Sequence, residues 1–316
     1  MTKDAWLVVG NGAIGLLWAS KLRQHGEQVT VLCRSDIPNS PLNVEDIDEE
    51  GNTRNTQSDI EFISLDQLEG KYTKTLLCTK AFDLVAAYLD VRKHTKKRGL
   101  IATLCNGLGA QQDLIPHLKK QQNLWAGITS EGALKLDSNR VKKTGDGDSF
   151  FGLLKEQDDN MFGTDFPFPD VQSRNIERRL IEKLAVNAVI NPLTAIFSIR
   201  NGEVLEAPIR PIFDAAVDEL ANAMHCDEFR FKPLVEDLTA EHLHRRIENV
   251  ARLTAMNCSS MYEDIRNIRP TENEYISGFF HRETPKTATP IQDAFYAALN
   301  DTAHIEEHKK KLLSQF

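Results

Sequence analysis

Short apolar runs alternate with stretches of helical period through the first half of the chain. Residues 5–9, 29–33, 75–79, 100–104 and 124–128 are apolar nearly throughout, the pattern of strands buried on both faces of a parallel sheet. Parallel neighbours require crossover connections, so the alternation predicts an α/β fold with a Rossmann-type, doubly wound parallel sheet at the N-terminal end. Residues 141–144 and 149–154 flank Gly145, Asp146, Gly147 and Asp148 and predict a hairpin that closes this domain.

The pattern changes after that hairpin. Residues 157–160 are polar, and Phe166, Pro167, Phe168 and Pro169 resist regular structure, which places a domain boundary near residue 172. The first domain is then 1–172 and the second 173–316. Residues 173–190, 210–224, 232–255 and 276–281 follow a helical period, with a turn signal at Asn201 and Gly202, so the second domain is expected to be all-helical. No repeat of solenoid period is present.

Composition and charge narrow the function. The 316 residues carry a net charge of -8, unlike the basic face of a nucleic-acid binder, and small molecules are the better-matched ligands. The five cysteines (Cys33, Cys78, Cys105, Cys226 and Cys258) are scattered without metal-like spacing, as in a reducing compartment. The apolar stretch 5–19 is interrupted by Asn11 and by Gly10, Gly12 and Gly15, with Asp4 before it, which does not match a signal peptide. No other apolar stretch approaches a membrane span in this reading, and a soluble cytoplasmic protein is expected.

Gly10, Asn11, Gly12, Ala13, Ile14 and Gly15 form G-x-G-x-x-G directly after a strand and at the start of a helix. That is the context in which glycines allow the tight turn, the close approach of a pyrophosphate and the packing of helix on sheet. The end of the second strand reads V-L-C-R-S and places Arg34 where NAD-dependent chains carry an acidic residue. A guanidinium there clamps a 2'-phosphate, which predicts NADPH as cofactor; pairing of Arg34 with nearby Asp36 is the alternative.

Lys183, Asn187 and Asn191 recur at helical spacing in a very apolar segment and therefore share one face. Burying an ammonium and two amides is costly without partners, so a ligand or a dedicated network is expected; the alternative is a junction ion pair with the asparagines capping a helix before Pro192. Lys80 and Asn106 follow the third and fourth predicted strands, at the carboxyl ends where open parallel sheets bind ligands. Reduction of a ketone leaves developing charge on oxygen, which Lys183 can meet with a proton. Asn106, Ser259, Ser260 and the helix asparagines offer donors for a substrate carboxylate.

Five segments together resemble the ketopantoate reductase (2-dehydropantoate 2-reductase) family. They are V-V-G-N-G-A-I-G at 8–15, T-K-A-F-D at 79–83, N-G-L-G at 106–109, K-L-A-V-N-A-V-I-N-P-L-T-A at 183–195 and S-S-M-Y-E-D-I-R-N-I-R-P-T-E at 259–272. The resemblance implies NADPH-dependent reduction of 2-dehydropantoate, in a cleft between a Rossmann and a helical domain. It implies Lys183 as general acid and Glu272 as the group that holds the lysine or the substrate hydroxyl. It further implies Asn106, Asn187, Asn191 and Ser260 as substrate contacts, with Lys80, Arg34 and Asn106 on the cofactor side. Glu131, Ser277 and the 155–172 loop depart from the family's pattern. Another small 2-oxo acid as substrate, a hydroxy acid dehydrogenase running in the oxidative direction, and a non-catalytic NADPH sensor are the competing readings. Exposed helices of the second domain leave room for a homodimer.

His304, Glu307 and His308 match H-x-x-E-H, but in a charged helix near the last residues, without a credible third ligand, they read as a solvated face. His242 and His244 point to different sides of a helix.

Overall fold

The computed structural model describes residues 2–47, 52–155, 166–285 and 287–316. The polar stretch 157–160 and the centre of the 155–172 loop lie outside the described residues. The chain divides into one compact unit of residues 1–105 with 110–176 and a second of residues 106–109 with 177–316.

The strands of the first unit are β1 Thr2–Val9, β2 Val29–Leu32, β3 Leu42–Ile47, β4 Thr53–Ser58, β5 Glu61–Ile63, β6 Lys71–Leu77, β7 Thr95–Leu104, β8 Asn123–Thr129, β9 Gly132–Asp137, β10 Arg140–Gly145 and β11 Ser149–Lys155. A seven-stranded sheet runs β11-β8-β7-β6-β1-β2-β5, parallel except for β11. The five apolar runs are its central strands. Helix α1 (Ala13–Gln24) packs Leu16, Leu17, Trp18, Ala19 and Leu22 into one core with Trp6, Val8 and Val31 of this sheet and Leu42, Val44 and Val141 of another. Two short helices, α2 (Leu84–Val91) and α3 (Ala110–Leu114), complete the unit.

That other sheet has four strands in the order β4-β3-β10-β9. It overturns the expected hairpin: β10 pairs with β9 and β3, whereas β11 pairs antiparallel with β8 in the large sheet. Local spacing suits a hairpin, but burial decides otherwise. Val141 faces α1 while Arg140 ion-pairs with Glu45 on the solvated face, and Phe151 is buried against Trp18 and Phe166. The intervening turn ties the sheets together, since the Ser130 N–H donates to the Asp148 carbonyl at 2.9 Å and the Asp148 N–H to the Ser130 hydroxyl at 2.9 Å.

The second unit is helical: α4 Ile176–Phe197, α5 Arg210–Met224, α6 Lys232–Val235, α7 Ala240–Leu253, α8 Ser260–Arg266, α9 Ser277–Glu283, α10 Pro290–Asn300 and α11 Ile305–Gln315. The helix expected over 232–255 is broken, because the Thr239 hydroxyl accepts the His242 N–H at 3.2 Å and caps a new helix there.

The helix expected to end at Ile190 instead continues through Pro192, so the asparagines do not cap it. Proline cannot donate to the carbonyl four residues back, which is that of Ala188. The buried Gln292 side chain donates to that carbonyl at 3.0 Å, and the Thr194 hydroxyl donates to the Ile190 carbonyl at 2.8 Å. At 22 residues α4 is long and apolar enough to cross a membrane, contrary to the expectation that no such stretch exists. Most of it is buried inside the protein, as in the core helix of a folded domain.

Candidate active site

In the first unit the glycine turn is built as the sequence requires. Gly10 has φ +109, and a Cβ there would lie 2.4 Å from the Cys78 carbonyl; a Cβ on Gly15 would lie 2.1 Å from the Gly10 carbonyl. Side chains are excluded at both positions. A Cβ on Gly12, by contrast, would meet nothing within 4 Å. Gly12 is also the N-cap of α1, where no side chain caps the helix and no acidic residue stands in the first turn. Its amide donors and positive dipole end are thus suited to a phosphate, and the turn fits a dinucleotide's pyrophosphate. Asn11, Ala13 and Ile14 are half-buried or packed against the core. Burial pushes the neighbouring Cys78 thiol up, so it remains uncharged beneath this turn.

Arg34 follows β2 with its side chain 76% exposed and pairs with Asp83 at 2.8 Å rather than with Asp36. An exposed pair of this kind is worth little, about 1 kcal/mol at most, so the guanidinium can exchange partners. Lys80 is half-buried and starts the single turn 81–83, the Asp83 N–H donating to its carbonyl. Asp83 therefore faces Arg34 from the end of the third central strand.

In the second unit Lys183, Asn187 and Asn191 lie along one face of α4. The Lys183 ammonium donates to Asn106 Oδ1 at 2.9 Å, and Asn106 Nδ2 donates to Glu272 Oε2 at 3.2 Å. Since an ammonium only donates and a carboxylate only accepts, the Asn106 amide has one possible orientation. Glu272 is 4% exposed, so its carboxylate is held away from solvent beside this amide. Asn191 is 7% exposed, and no hydrogen bond reaches the side-chain amide of Asn187 or Asn191 from the described residues. Two amides with no hydrogen bond within the described protein, beside a bonded lysine, form a row whose donors and acceptors are available to a polar ligand.

The two serines differ. The Ser259 hydroxyl is engaged structurally, hydrogen-bonded with the Thr194 hydroxyl at 2.6 Å and accepting from the Tyr262 N–H at 3.1 Å, whereas Ser260 is exposed in the first turn of α8. Glu131 accepts from Lys21 at 2.5 Å and from Ser149 at 2.9 Å, a buried brace between α1 and the strands. Ser277 is fully buried, with no partner for its hydroxyl among the described residues.

His304 and His308 both turn to Asp301. Among the described residues the one group spaced to hold a metal ion is Asp214, His244 and Glu248. There the Arg210 guanidinium already bonds Asp214 at 2.8 Å and Glu248 at 2.5 Å, supplying the positive charge. Sequence reasoning missed the residues that support Asn106: Tyr275, whose carbonyl accepts the Leu108 N–H at 3.0 Å, and Asn273. The sole signal was Gly107, a turn glycine whose partner lies far along the chain.

The family model for ketopantoate reductase PanE/ApbA matches residues 6–156, and that for its C-terminal part matches residues 175–302. The 2-dehydropantoate 2-reductase of Vibrio cholerae is 32% identical over 304 residues, covering 92% of this chain and 95% of that one. Among solved structures, D-mandelate dehydrogenase with NADH and anilino(oxo)acetate has a TM-score of 0.75 at 22% identity, covering 99% of each chain. A dimeric ketopantoate reductase from Staphylococcus aureus has a TM-score of 0.71 at 17% identity, covering 98% of this chain and 100% of that one. At such identities the structural likeness shows the fold.

Proposed function

Because the chain belongs to the ketopantoate reductase family, we propose that it reduces 2-dehydropantoate to pantoate with NADPH. The observation that carries this reading is the bonded set Lys183, Asn106 and Glu272 beside the Asn187 and Asn191 amides, which no described residue engages.

NADPH, when bound, supplies the hydride that reaches C2 of the ketone. The glycine turn and the α1 N-terminus would hold its pyrophosphate, Arg34 would exchange Asp83 for the 2'-phosphate, and Lys80 and Asn106 would serve the cofactor side. As the carbonyl oxygen gains the electron pair, Lys183 Nζ gives it a proton and is restored from solvent. Glu272, acting through Asn106, holds the donor's geometry. Asn187, Asn191, Asn106 and Ser260 hold the substrate's carboxylate and hydroxyl groups. A cytoplasmic homodimer, the dimeric state being that named for the Staphylococcus aureus enzyme, belongs to the same proposal.

A second reading keeps this chemistry and changes the acid, since D-mandelate dehydrogenase shares the fold. Cofactor oxidation with 2-dehydropantoate, set against other branched and aromatic 2-oxo acids and run with NADPH and NADH, decides between them. The proposal expects 2-dehydropantoate with NADPH to give the highest kcat/KM. No turnover of 2-dehydropantoate at millimolar concentration would remove it as substrate, and equal use of NADH would remove the role given to Arg34.

A further inference from the structure

The Asn106 amide is bonded at both ends, yet it stands on a loop with two glycines of positive φ, Gly107 at +80 and Gly109 at +110. Such a loop does not by itself hold a side chain to a fraction of an ångström. The turn 272–275 supplies what the loop lacks. At one end the Glu272 carboxylate accepts from Asn106 Nδ2 at 3.2 Å; at the other the Tyr275 carbonyl accepts the Leu108 N–H at 3.0 Å. The turn closes on itself through the Tyr275 N–H and the Glu272 carbonyl at 2.9 Å. Two residues of one turn thus grip the loop on either side of Gly107.

The grip requires glycine at 107. A Cβ there would lie 2.5 Å from the Tyr275 carbonyl oxygen and 2.7 Å from the Tyr275 Cβ, too close for any side chain. The turn is in turn anchored to α10, because Asn273, 2% exposed, donates from Nδ2 to the Tyr296 carbonyl at 3.0 Å and to Asn300 Oδ1 at 3.1 Å. The chain of support runs from α10 through Asn273 and the Tyr275 main chain to Gly107, Asn106 and the Lys183 ammonium.

We propose that the turn 272–275 is a clamp that positions the Asn106 amide, with Gly107 and Asn273 as positioning residues for the proton donor Lys183. This rests on the reading of Lys183 as the acid in a 2-oxo acid reduction. Neither residue touches substrate; each acts through Asn106.

The test uses the full-length enzyme and the variants Gly107→Ala, Asn273→Ala and Asn106→Ala, with Gly107→Ala also made in the Asn106→Ala background. Displacement by about 1 Å in a catalytic geometry costs on the order of 100-fold in rate, so Gly107→Ala is expected to lower kcat by roughly that factor. Asn273→Ala lowers it in the same sense. The double variant loses no more than Asn106→Ala alone, because the clamp has nothing left to position. Independent losses that multiply, or a folded Gly107→Ala with wild-type kcat, would overturn the clamp.

Hydrogen exchange on the wild-type enzyme gives an arm that needs no variant to fold. The Leu108 amide is expected to be protected, and free exchange there would overturn the proposal as well. Failure of the functional reading looks different: the wild-type enzyme itself then fails to turn over 2-dehydropantoate, and the clamp is judged by the exchange of Leu108.

Discussion

Gln292 donates its side-chain amide to the carbonyl oxygen of Ala188 at 3.0 Å, the one carbonyl that Pro192 leaves without a donor in α4. The consequence reaches the site, since Asn191 keeps its place in the row with Lys183 only while α4 continues past Ile190. Replacing Gln292 with Leu leaves that carbonyl buried and unsatisfied, at a cost of about 1–3 kcal/mol. Urea unfolding should show a lower midpoint with an unchanged slope, the shift multiplied by the slope equalling that loss. A midpoint equal to wild type would mean that the carbonyl finds another donor.

The amide of Asn191 is nearly buried and has no hydrogen-bond partner in the described chain, so it serves no structural bond that substitution could break. Asn191→Leu is therefore expected to leave stability within about 1 kcal/mol of wild type, since no hydrogen bond within the protein is lost. The same variant should raise KM for the 2-oxo acid roughly tenfold or more, with the Kd of NADPH unaltered. Steady-state kinetics beside thermal unfolding separates the two effects. A marked loss of stability with unchanged KM would make Asn191 a structural residue.

Glu219 on α5 caps α10, accepting the Ile291 N–H at 2.6 Å and the Gln292 N–H at 2.8 Å. Burial nevertheless pushes its carboxyl from the ordinary 4.5 up to about 7, against the pull of those two donors. A raised folded-state value favours the protonated form in the native state, so its contribution is full below about pH 4.5 and is lost as pH rises through about 7. A shift of this size corresponds to at most roughly 3 kcal/mol. Unfolding free energies of wild type and Glu219→Gln between pH 4.5 and 8 should diverge, with the wild type alone declining through this group. Parallel curves would contradict the assignment.

Much of this organisation is legible in the residues. The glycine turn is fixed by strand, loop and helix patterns within a few positions, and the Lys183 row by spacing along one helix. What escaped was non-local. β4 reads T-R-N-T-Q-S and carries no apolar residue, so its membership of the second sheet depends on pairing with β3 rather than on its own pattern. β10 and β11 have the spacing of a hairpin, but burial of Val141 and Phe151 sends them to different sheets. Pro192 looks like a helix stop until a glutamine from α10 satisfies the orphaned carbonyl. Glu272 is a plain glutamate after Pro270 and Thr271, visible through family resemblance alone, and its bond to Asn106 joins positions far apart in sequence.

In the proposed reaction Lys183, held by Asn106, gives the proton that completes reduction of the ketone. Single-turnover oxidation of bound NADPH by 2-dehydropantoate, compared between wild type and Lys183→Ala with the NADPH Kd measured in parallel, reads this proton transfer. General acid catalysis of this kind contributes roughly 100- to 10,000-fold, so the rate should fall by that factor while the Kd stays within about threefold. An unchanged rate in Lys183→Ala, with NADPH still bound, would remove Lys183 as the proton donor.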